Sequence, residues 1–188
     1  IAQFIIQLIA LSVNGINPIV YMKKSLALLI LAFTSRSSVG CLPVTIETLT
    51  QKLGVNQATA SFVAGFGTTA GMQGCAGIFP SLLIVYVCHL TGTAMDFSMI
   101  VMTIIVVTLG SLGIAGIPGT ATMAASVGLS GVGMASSFSL IGPILAIDPL
   151  IDMARTMLNV SGSVTNALII DKRLGNLDEN IYNEINKN

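Results

Sequence analysis

Three charged side chains stand close together in a part of the chain that is otherwise apolar. In "IDPLIDMARTMLNVSG", residues 147–162, two carboxylates and one guanidinium fall within eight positions. On a helix at about 100° per residue, six polar side chains share one arc of about 100°. They are Asp148, Asp152, Arg155, Thr156, Asn159 and Ser163. Because carboxylates bind ammonium groups and a guanidinium binds a carboxylate through two hydrogen bonds, the arc predicts a site for a zwitterionic ligand.

The composition around this arc predicts an all-α integral membrane protein. The chain has 188 residues, of which 53% are hydrophobic and 9% are charged, whereas an average soluble domain is about 25% charged. Residues 53–95 and 97–147 contain no Asp, Glu, Lys or Arg. A soluble fold of this size could not hide so much uncharged surface.

An internal ion pair is the alternative interpretation of the charged arc. Arg155 paired with Asp148 or Asp152 could hold helices together without binding a ligand. A charge at the centre of a bilayer costs at least about 2.5–3.5 kcal/mol on insertion scales, so these charges need a protein interior or a ligand. The ion pair alone leaves Thr156 and Asn159 unexplained, which favours the binding site.

Several other classes of function are disfavoured by the same composition. The net charge is zero, which leaves no electrostatic case for nucleic acid. The three cysteines, Cys41, Cys75 and Cys88, show no CxxC spacing, so no zinc site is predicted. A membrane hydrolase would need a nucleophile beside a base, and the single histidine, His89, lies at a predicted membrane boundary. We therefore predict that the protein is not an enzyme.

The positions of lysine and arginine predict how the chain crosses the bilayer. Lysines and arginines that flank the membrane-embedded runs mark the cytoplasmic side, and these lie at 23–24, 52 and 172–173. Between the first two groups, the uncharged apolar stretch "SLALLILAFTS" has 11 residues, whereas a spanning helix needs about 20. Residues 17–52 are therefore predicted to enter the membrane and return as a re-entrant hairpin.

The complete prediction has six segments. They are the end of a transmembrane helix (1–16), re-entrant hairpin 1 (17–52), a transmembrane helix unwound at "GMQGC" (57–91), re-entrant hairpin 2 from the opposite face (97–134), a polar transmembrane helix (136–170) and a cytoplasmic tail (171–188). Two broken hairpins from opposite faces suggest an inverted repeat whose tips meet near the midplane. Backbone exposed at that depth must be buried in protein or line a cavity, so the tips are binding-site candidates. A pair of kinked spanning helices is the alternative.

Two further features have both a structural and a functional interpretation. Arg36, in "TSRSSVG", either extends to the cytoplasmic surface as an anchor or lies at the tip of hairpin 1 beside the aspartates. Gly67, Gly71 and Gly74 either allow close helix packing or leave carbonyls that coordinate a cation. The residues themselves leave both pairs of alternatives open.

Four motifs in order resemble the dicarboxylate/amino acid:cation symporter family, and within it the bacterial L-cystine symporters. They are "AFTSRSSVGCLPVT" (32–45), "GTTAGMQGCAGIFP" (67–80), "GSLGIAGIPGTATMAASV" (110–127) and "AIDPLIDMARTMLNVSGSVTNALI" (146–169). The resemblance implies the transport half of a secondary active amino-acid transporter, with hairpin 2 as the outer gate. It also implies a homotrimer in a bacterial-type plasma membrane, with the C-terminus cytoplasmic. An N-terminal scaffold half is expected to precede the chain, which starts at Ile1 inside an apolar run.

The resemblance further implies which residues bind the substrate. Asp152 would bind the ammonium group, Arg155 would bind a distal carboxylate, and Asp148 would support Arg155. The other implied contacts lie on the same helix, in the third segment and at the two tips: Thr156, Asn159, Cys75, Arg36, Ser37, Ser38, Gly116, Ile117, Pro118 and Gly119. Cys75 stands where glutamate transporters have a threonine near the substrate.

The coupling cation is implied less directly, because two carboxylates of the family are missing. Where glutamate transporters have Asn-Met-Asp-Gly-Thr, this chain has "GMQGC" at 71–75, and their late aspartate of the eighth helix is Ser163 here. The possible sodium ligands that remain are Gly67, Thr69, Gly71, Ser111, Leu112, Ile114, Asn159 and Ser163. A hard cation with fewer anionic ligands binds more weakly. We therefore expect Na⁺ or H⁺ as the coupling cation, with weak sodium dependence, and no other cofactor.

Three functions remain open on the sequence. The first is a symporter that accumulates L-cystine by alternating access, and the second is a glutamate or aspartate symporter. The third is an amino-acid-binding channel or regulatory membrane subunit. Concentrative uptake separates the symporters from a channel, because a channel cannot accumulate its substrate against a gradient.

Overall fold

The computed structural model describes residues 1–184, and within that range the chain is helical outside its turns and contains no β-strand. The α-helices are α1 (Ala2–Val13), α2 (Pro18–Ser35), α3 (Leu42–Glu47), α4 (Gln57–Gly67), α5 (Phe79–Thr91), α6 (Phe97–Ser111), α7 (Thr120–Gly131), α8 (Gly142–Ala146), α9 (Asp148–Leu174) and α10 (Glu179–Asn183). Two π-helical segments, Thr48–Lys52 and Gln73–Ile78, and the 3₁₀ segment Ala135–Ile141 connect them. The predicted all-α class is confirmed. Residues 185–188 of the predicted tail lie outside the described residues.

Two of the described helices are long and apolar enough to cross a membrane, namely α2 and the continuous helix Gln73–Thr91. The bent pair Ala135–Ala146 and Asp148–Leu174 supplies a third if it counts as one span. The shorter helices α1 and α6 are also apolar, and they expose side chains such as Ile5, Ile9 and Ile104. Such faces suit lipid or a further helix, which agrees with the prediction of a membrane protein.

Residues 17–52 fold back on themselves. The side chain of Asn17 caps α2 by accepting from the Ile19 amide at 3.0 Å, and the helix runs for 18 residues to Ser35. α3 and the π-helical segment then bring the chain back, so that Lys24 Nζ donates to the Lys52 carbonyl at 2.8 Å. The two arms therefore begin and end at the same end of the molecule. The basic pair at 23–24 lies inside α2 and not before it.

Residues 97–131 form a second pair of antiparallel helices, α6 and α7. Gly110 lies against the side chain of Val127, and Gly131 lies against the side chain of Val106. The glycines allow this close approach because they have no Cβ. The connecting residues 112–119 form the tip of the pair.

Helix α9 is the central element of the described fold. It packs against α1, α2 and α4 around one hydrophobic core, which includes Leu11, Leu28, Leu49 and Val164. A second core, with Leu83, Ile84 and Leu129, joins α5, α7 and the π-helical segment Gln73–Ile78. The polar arc of α9 faces the inside of the fold, and its side chains are buried there.

The segment predicted as a transmembrane helix at 136–170 is not one straight helix in the structure. The chain bends by 85° between Ala135–Ala146 and Asp148–Leu174. Pro149 stands in the first turn of α9, where proline is tolerated, whereas in a helix interior it removes a hydrogen bond and clashes with the preceding turn. α9 also continues past residue 170 and ends at Leu174. Asp171, in this extension, is fully buried and accepts a hydrogen bond from the Asn56 amide at 2.8 Å.

The predicted unwinding of the third segment is also displaced. The helical hydrogen bonding ends at Gly67, and residues 68–72 form the irregular stretch. The chain then resumes as the π-helical segment Gln73–Ile78. The unwinding predicted at "GMQGC" therefore covers only Gly71 and Met72.

Candidate binding site

Two arginines and two aspartates form one cluster at the start of α9, joined by three ion-pair contacts, and only Arg36, at 29%, is partly exposed. Arg155 Nη2 lies 2.7 Å from Asp148 Oδ1 and 3.2 Å from Asp152 Oδ1. Arg36 Nε, from the first tip, lies 3.2 Å from Asp152 Oδ2. The three side chains of α9 are each less than 10% exposed. The two positive and two negative side chains balance each other. This balance is expected, since a buried charge is tolerated only when it is paired.

Arg36 reaches this cluster through an unusual backbone conformation. It ends α2 with φ of 56°, and no other non-glycine residue in the described part of the chain has a positive φ. Its side chain lies on Asp152 and not at the far end of α2 beside Lys24. Of the two interpretations of Arg36, the structure therefore matches the one that places it beside the aspartates. Strained backbone of this kind persists where the surrounding structure holds it.

The tip of hairpin 1, which connects α2 to α3, contacts the tip formed by residues 112–119 beside the charged cluster. The Val39 amide donates to the Gly116 carbonyl at 3.1 Å, and Ser37 Oγ donates to the same carbonyl at 3.3 Å. A Cβ at Gly116 would lie 2.7 Å from the Thr68 carbonyl oxygen and 2.9 Å from Ser38 Cβ. Glycine is therefore required at 116, because the first tip and the irregular stretch both approach its backbone closely.

Asn159 holds the start of the π-helical segment against α9. Its Oδ1 accepts from the Gly74 amide at 2.7 Å and from the Cys75 amide at 3.4 Å. Its Nδ2 donates to Cys75 Sγ at 3.1 Å. Asn159 thus satisfies backbone groups that the helix break leaves without helical partners. The sequence indicated Asn159 as a substrate contact or a sodium ligand, and its role in holding the backbone was missed.

An aromatic ring that sequence reasoning missed completes the surroundings of Arg155. Its Cζ lies 3.8 Å from the centroid of the Phe79 ring, which is the geometry of a cation–π contact. Arg155 Nε and Nη1 are buried and have no hydrogen-bond partner within residues 1–184. A buried donor without a partner is costly, so these two groups are available for a ligand oxygen. The available signal was the aromatic residue near the end of the motif "GTTAGMQGCAGIFP" (67–80).

The small space beside the cluster, lined by Arg36 and Asp152 but not by Arg155 or Asp148, is about 10 Å³, roughly the room that one water molecule needs. Its lining is Arg36, Ser38, Met72, Cys75, Gly116, Ile117, Thr120, Asp152, Thr156 and Asn159. Eight of these were predicted, and Met72 and Thr120 were not. Cys75 Sγ lies 3.6 Å from Asp152 Oδ1. Pro118 and Gly119 lie at the exposed surface of the second tip, outside this lining.

A much larger cavity, of about 430 Å³, lies beside the site and not in it. It is bounded by α1, the irregular stretch, α6 and α9, and among the described residues that line it none is charged. Its polar groups include Gln3, whose Nε2 donates to Gln73 Oε1 at 2.6 Å. Because it holds none of the charged pairs, we assign the ligand site to the smaller space.

The possible sodium ligands are divided between different places. Gly67, Gly71 and Ser163 line one cavity, and Gly71 also faces the large cavity together with Ser111. Thr69, Leu112 and Ile114 line neither of these cavities. Asn159 Oδ1 already accepts two backbone amides. In the described part of the chain, no three His, Cys, Asp or Glu side chains are grouped to hold a metal ion.

Comparison with known proteins identifies relatives along the whole chain. A family model described as the sodium:dicarboxylate symporter family matches residues 1–173. The L-cystine uptake protein TcyP of Bacillus cereus is 43% identical over 185 residues, which are 98% of this chain and 39% of the relative. The TcyP proteins of Bacillus licheniformis and Shouchella clausii are 42% and 41% identical, over 98% and 100% of this chain and 40% of each relative. The chain therefore spans about two fifths of the length of these relatives.

Proposed function

Because the chain belongs to the sodium:dicarboxylate symporter family, we propose that the whole protein is a secondary active symporter that takes up L-cystine. The observation that carries the proposal is the pairing of two arginines with two aspartates in one largely buried cluster. L-Cystine has two ammonium groups and two carboxylates, so it offers partners of opposite charge to Asp152 and to both arginines. The names of the TcyP relatives support the same substrate.

The charges assign a role to each residue of the cluster. Asp152 binds an ammonium group after Arg36 has moved away from it. Arg155 binds a carboxylate oxygen through Nε or Nη1, the nitrogens that have no partner in the described structure. Asp148 stays on Arg155 Nη2 at 2.7 Å and keeps the guanidinium in place. Arg36, once released, can bind a second carboxylate.

Loading the site requires the tips to separate. A space of about 10 Å³ cannot hold an amino acid. The hydrogen bonds from Val39 and Ser37 to the Gly116 carbonyl close the space on one side. We therefore assign residues 97–134 as a re-entrant hairpin and outer gate, and residues 17–52 as the opposing re-entrant hairpin, in an alternating-access cycle.

The full assembly is proposed from the family to which the chain belongs. The whole protein would be a homotrimer in a bacterial plasma membrane, with the C-terminus on the cytoplasmic side, where Lys172 and Arg173 lie. The exposed apolar faces of α1 and α6 would contact lipid or the N-terminal half of the protein.

Uptake of labelled L-cystine by the full-length protein in proteoliposomes tests the proposed function. We expect the internal concentration to exceed the external one, and we expect unlabelled cystine to compete more strongly than glutamate or aspartate. Equilibration without accumulation would indicate a channel, binding without uptake would indicate a regulatory subunit, and stronger competition by glutamate or aspartate would indicate a dicarboxylate symporter.

The coupling ion is a separate prediction, which rests on the neutral residues at 73 and 163. Gln73 is neutral, so this position supplies no fixed negative charge for a cation. Its Oε1 also already accepts a hydrogen bond from Gln3 at 2.6 Å. Neutral oxygens repay less of the dehydration cost of sodium than carboxylates do. We expect a pH gradient to drive cystine uptake in sodium-free buffer, with a smaller response to a sodium gradient at constant pH.

The same experiment can contradict this prediction. Steep dependence on several sodium ions, with no response to a pH gradient, would show that backbone carbonyls bind sodium well enough. A matched control is an empty liposome under both gradients, which measures the uptake that the gradients cause without the protein.

A further inference from the structure

The last described residues return to the start of α2 instead of leaving the fold. α9 ends at Leu174, where Gly175 turns the chain with φ of 73°. The Asn176 amide then donates to the Asp171 carbonyl at 3.0 Å. We call residues 175–184 the tail segment. It contains α10, whose first turn is capped by Asp178 Oδ1.

The tail segment binds the chain just after the second arm of hairpin 1. The Asp178 amide donates to the Gly54 carbonyl at 2.9 Å. Gly54 has φ of +71°, and a Cβ there would lie 2.5 Å from the Asp178 carbonyl oxygen. Both the conformation and the close approach require glycine at this position.

The tail segment also binds the start of the first arm. Tyr182 donates its hydroxyl to the Asn17 carbonyl at 2.9 Å. Lys24 Nζ donates both to the Lys52 carbonyl and to the Ile181 carbonyl, so it connects the two arms with the tail segment. Burial raises the pKa of Tyr182, which keeps its hydroxyl protonated as a donor.

Tyr182 belongs to the same hydrophobic core as the first tip. It is 3% exposed, and the core continues through Tyr21, Leu28 and Val164 to Cys41 at the tip of hairpin 1. α2 crosses this core as a single helix of 18 residues, or about 27 Å at 1.5 Å per residue. Movement of its first turn is therefore transmitted to Arg36 at its other end.

We propose that the tail segment is a clasp that holds hairpin 1 against α9 and thereby keeps Arg36 on Asp152. α2 and α9 are then joined at both ends, by the clasp at one end and by the ion pair at the other. α2 and α9 also pack along their length, with the Tyr21 hydroxyl 2.8 Å from Ser161 Oγ, so release of the clasp makes it easier for α2 to tilt away from α9 and open the core between them, without freeing it. The inference goes beyond the proposed function, because it concerns the closure of hairpin 1 whatever substrate is carried.

Thiol labelling of the full-length protein in proteoliposomes tests the clasp. The protein is treated with N-ethylmaleimide, and peptide mass spectrometry measures the labelling rates of Cys41 and Cys88, which lie in the first and the second core. Loss of one buried hydrogen bond in Tyr182→Phe should raise the rate at Cys41 about fivefold. A protein that ends at residue 175 should raise it at least about tenfold, because all the clasp contacts are lost. The rate at Cys88 should not change in either variant.

The control is Tyr86→Phe, the same substitution at a half-buried tyrosine that packs against the second core. It should leave the rate at Cys41 unchanged. An unchanged rate at Cys41 in Tyr182→Phe would overturn the proposal, and so would an equal rise at Cys41 and Cys88, since that indicates general loosening. If the shortened protein does not fold, Tyr182→Phe decides the question alone.

Discussion

Replacement of Arg155 by alanine should reduce the uptake of labelled cystine by at least about 100-fold. Arg155 is the partner of Asp148 at 2.7 Å and of Asp152 at 3.2 Å, and its removal leaves Asp148 without an ion-pair partner among the described residues, while Asp152 keeps Arg36. Breaking a buried ion pair by removing one partner costs about 3–5 kcal/mol. The same change removes Nε and Nη1, the unpartnered nitrogens from which we propose a hydrogen bond to the substrate carboxylate.

Two matched variants separate substrate binding from general damage. Arg155→Lys keeps a positive charge but loses the planar fork and the stacking on Phe79, so its uptake should lie between those of the wild type and Arg155→Ala. Arg173→Ala removes an exposed arginine near the end of the same helix and should leave uptake within about twofold, as most surface substitutions do. Initial rates in proteoliposomes, with thermal unfolding of each purified variant, provide the comparison. Unchanged uptake in Arg155→Ala would remove Arg155 from the site.

Replacement of Gly74 by alanine should reduce uptake at least about tenfold. A Cβ at Gly74 would lie 2.8 Å from the Arg155 carbonyl oxygen and 3.0 Å from Asn159 Oδ1. The first is a backbone atom that cannot turn aside, so the π-helical segment must move away from α9. Such overpacking costs about 1–3 kcal/mol, and the movement breaks the 2.7 Å hydrogen bond from the Gly74 amide to Asn159.

Gly77 supplies the control within the same π-helical segment. A Cβ at Gly77 would meet nothing within 4 Å, so Gly77→Ala should retain uptake, and the lower backbone entropy of alanine should stabilise the segment by about 0.5–1 kcal/mol. The test compares uptake rates and thermal unfolding of the two variants. Equal losses in both would show that the segment does not depend on its distance from α9.

The polar arc could be predicted because a helix repeats by local rules. Asp148, Asp152, Arg155, Thr156 and Asn159 share one face whenever 148–174 is helical, and all five are buried as expected. The membrane character followed from charge-free runs, since few charged side chains are tolerated in lipid. Such properties depend on residues near each other in the chain, so they can be recognised without a fold.

The meeting of the tips was predicted in outline, but its contacts were not. Opposed hairpins indicated that residues 36–38 and 116–119 approach each other. The structure alone decides that the Val39 amide reaches the Gly116 carbonyl, and that Pro118 and Gly119 stay outside the small space beside the cluster. A hydrogen bond depends on tenths of an ångström. No periodicity in the sequence specifies such a distance between Ser37 and Gly116, which are 79 residues apart.

The bend at Ile147, the extension of α9 and the docking of the tail were decided by tertiary structure. Asp171 looks like the first residue of a polar tail in the sequence, yet in the fold it is fully buried. The Asn56 amide then donates a hydrogen bond to its carboxylate. Tyr182 likewise becomes a core residue only when the tail returns to Asn17. The sequence determined that the chain is helical and membrane-embedded and which face of α9 is polar. Which distant groups pair was decided by packing, because a buried polar group accepts whatever partner the folded chain brings within hydrogen-bonding distance.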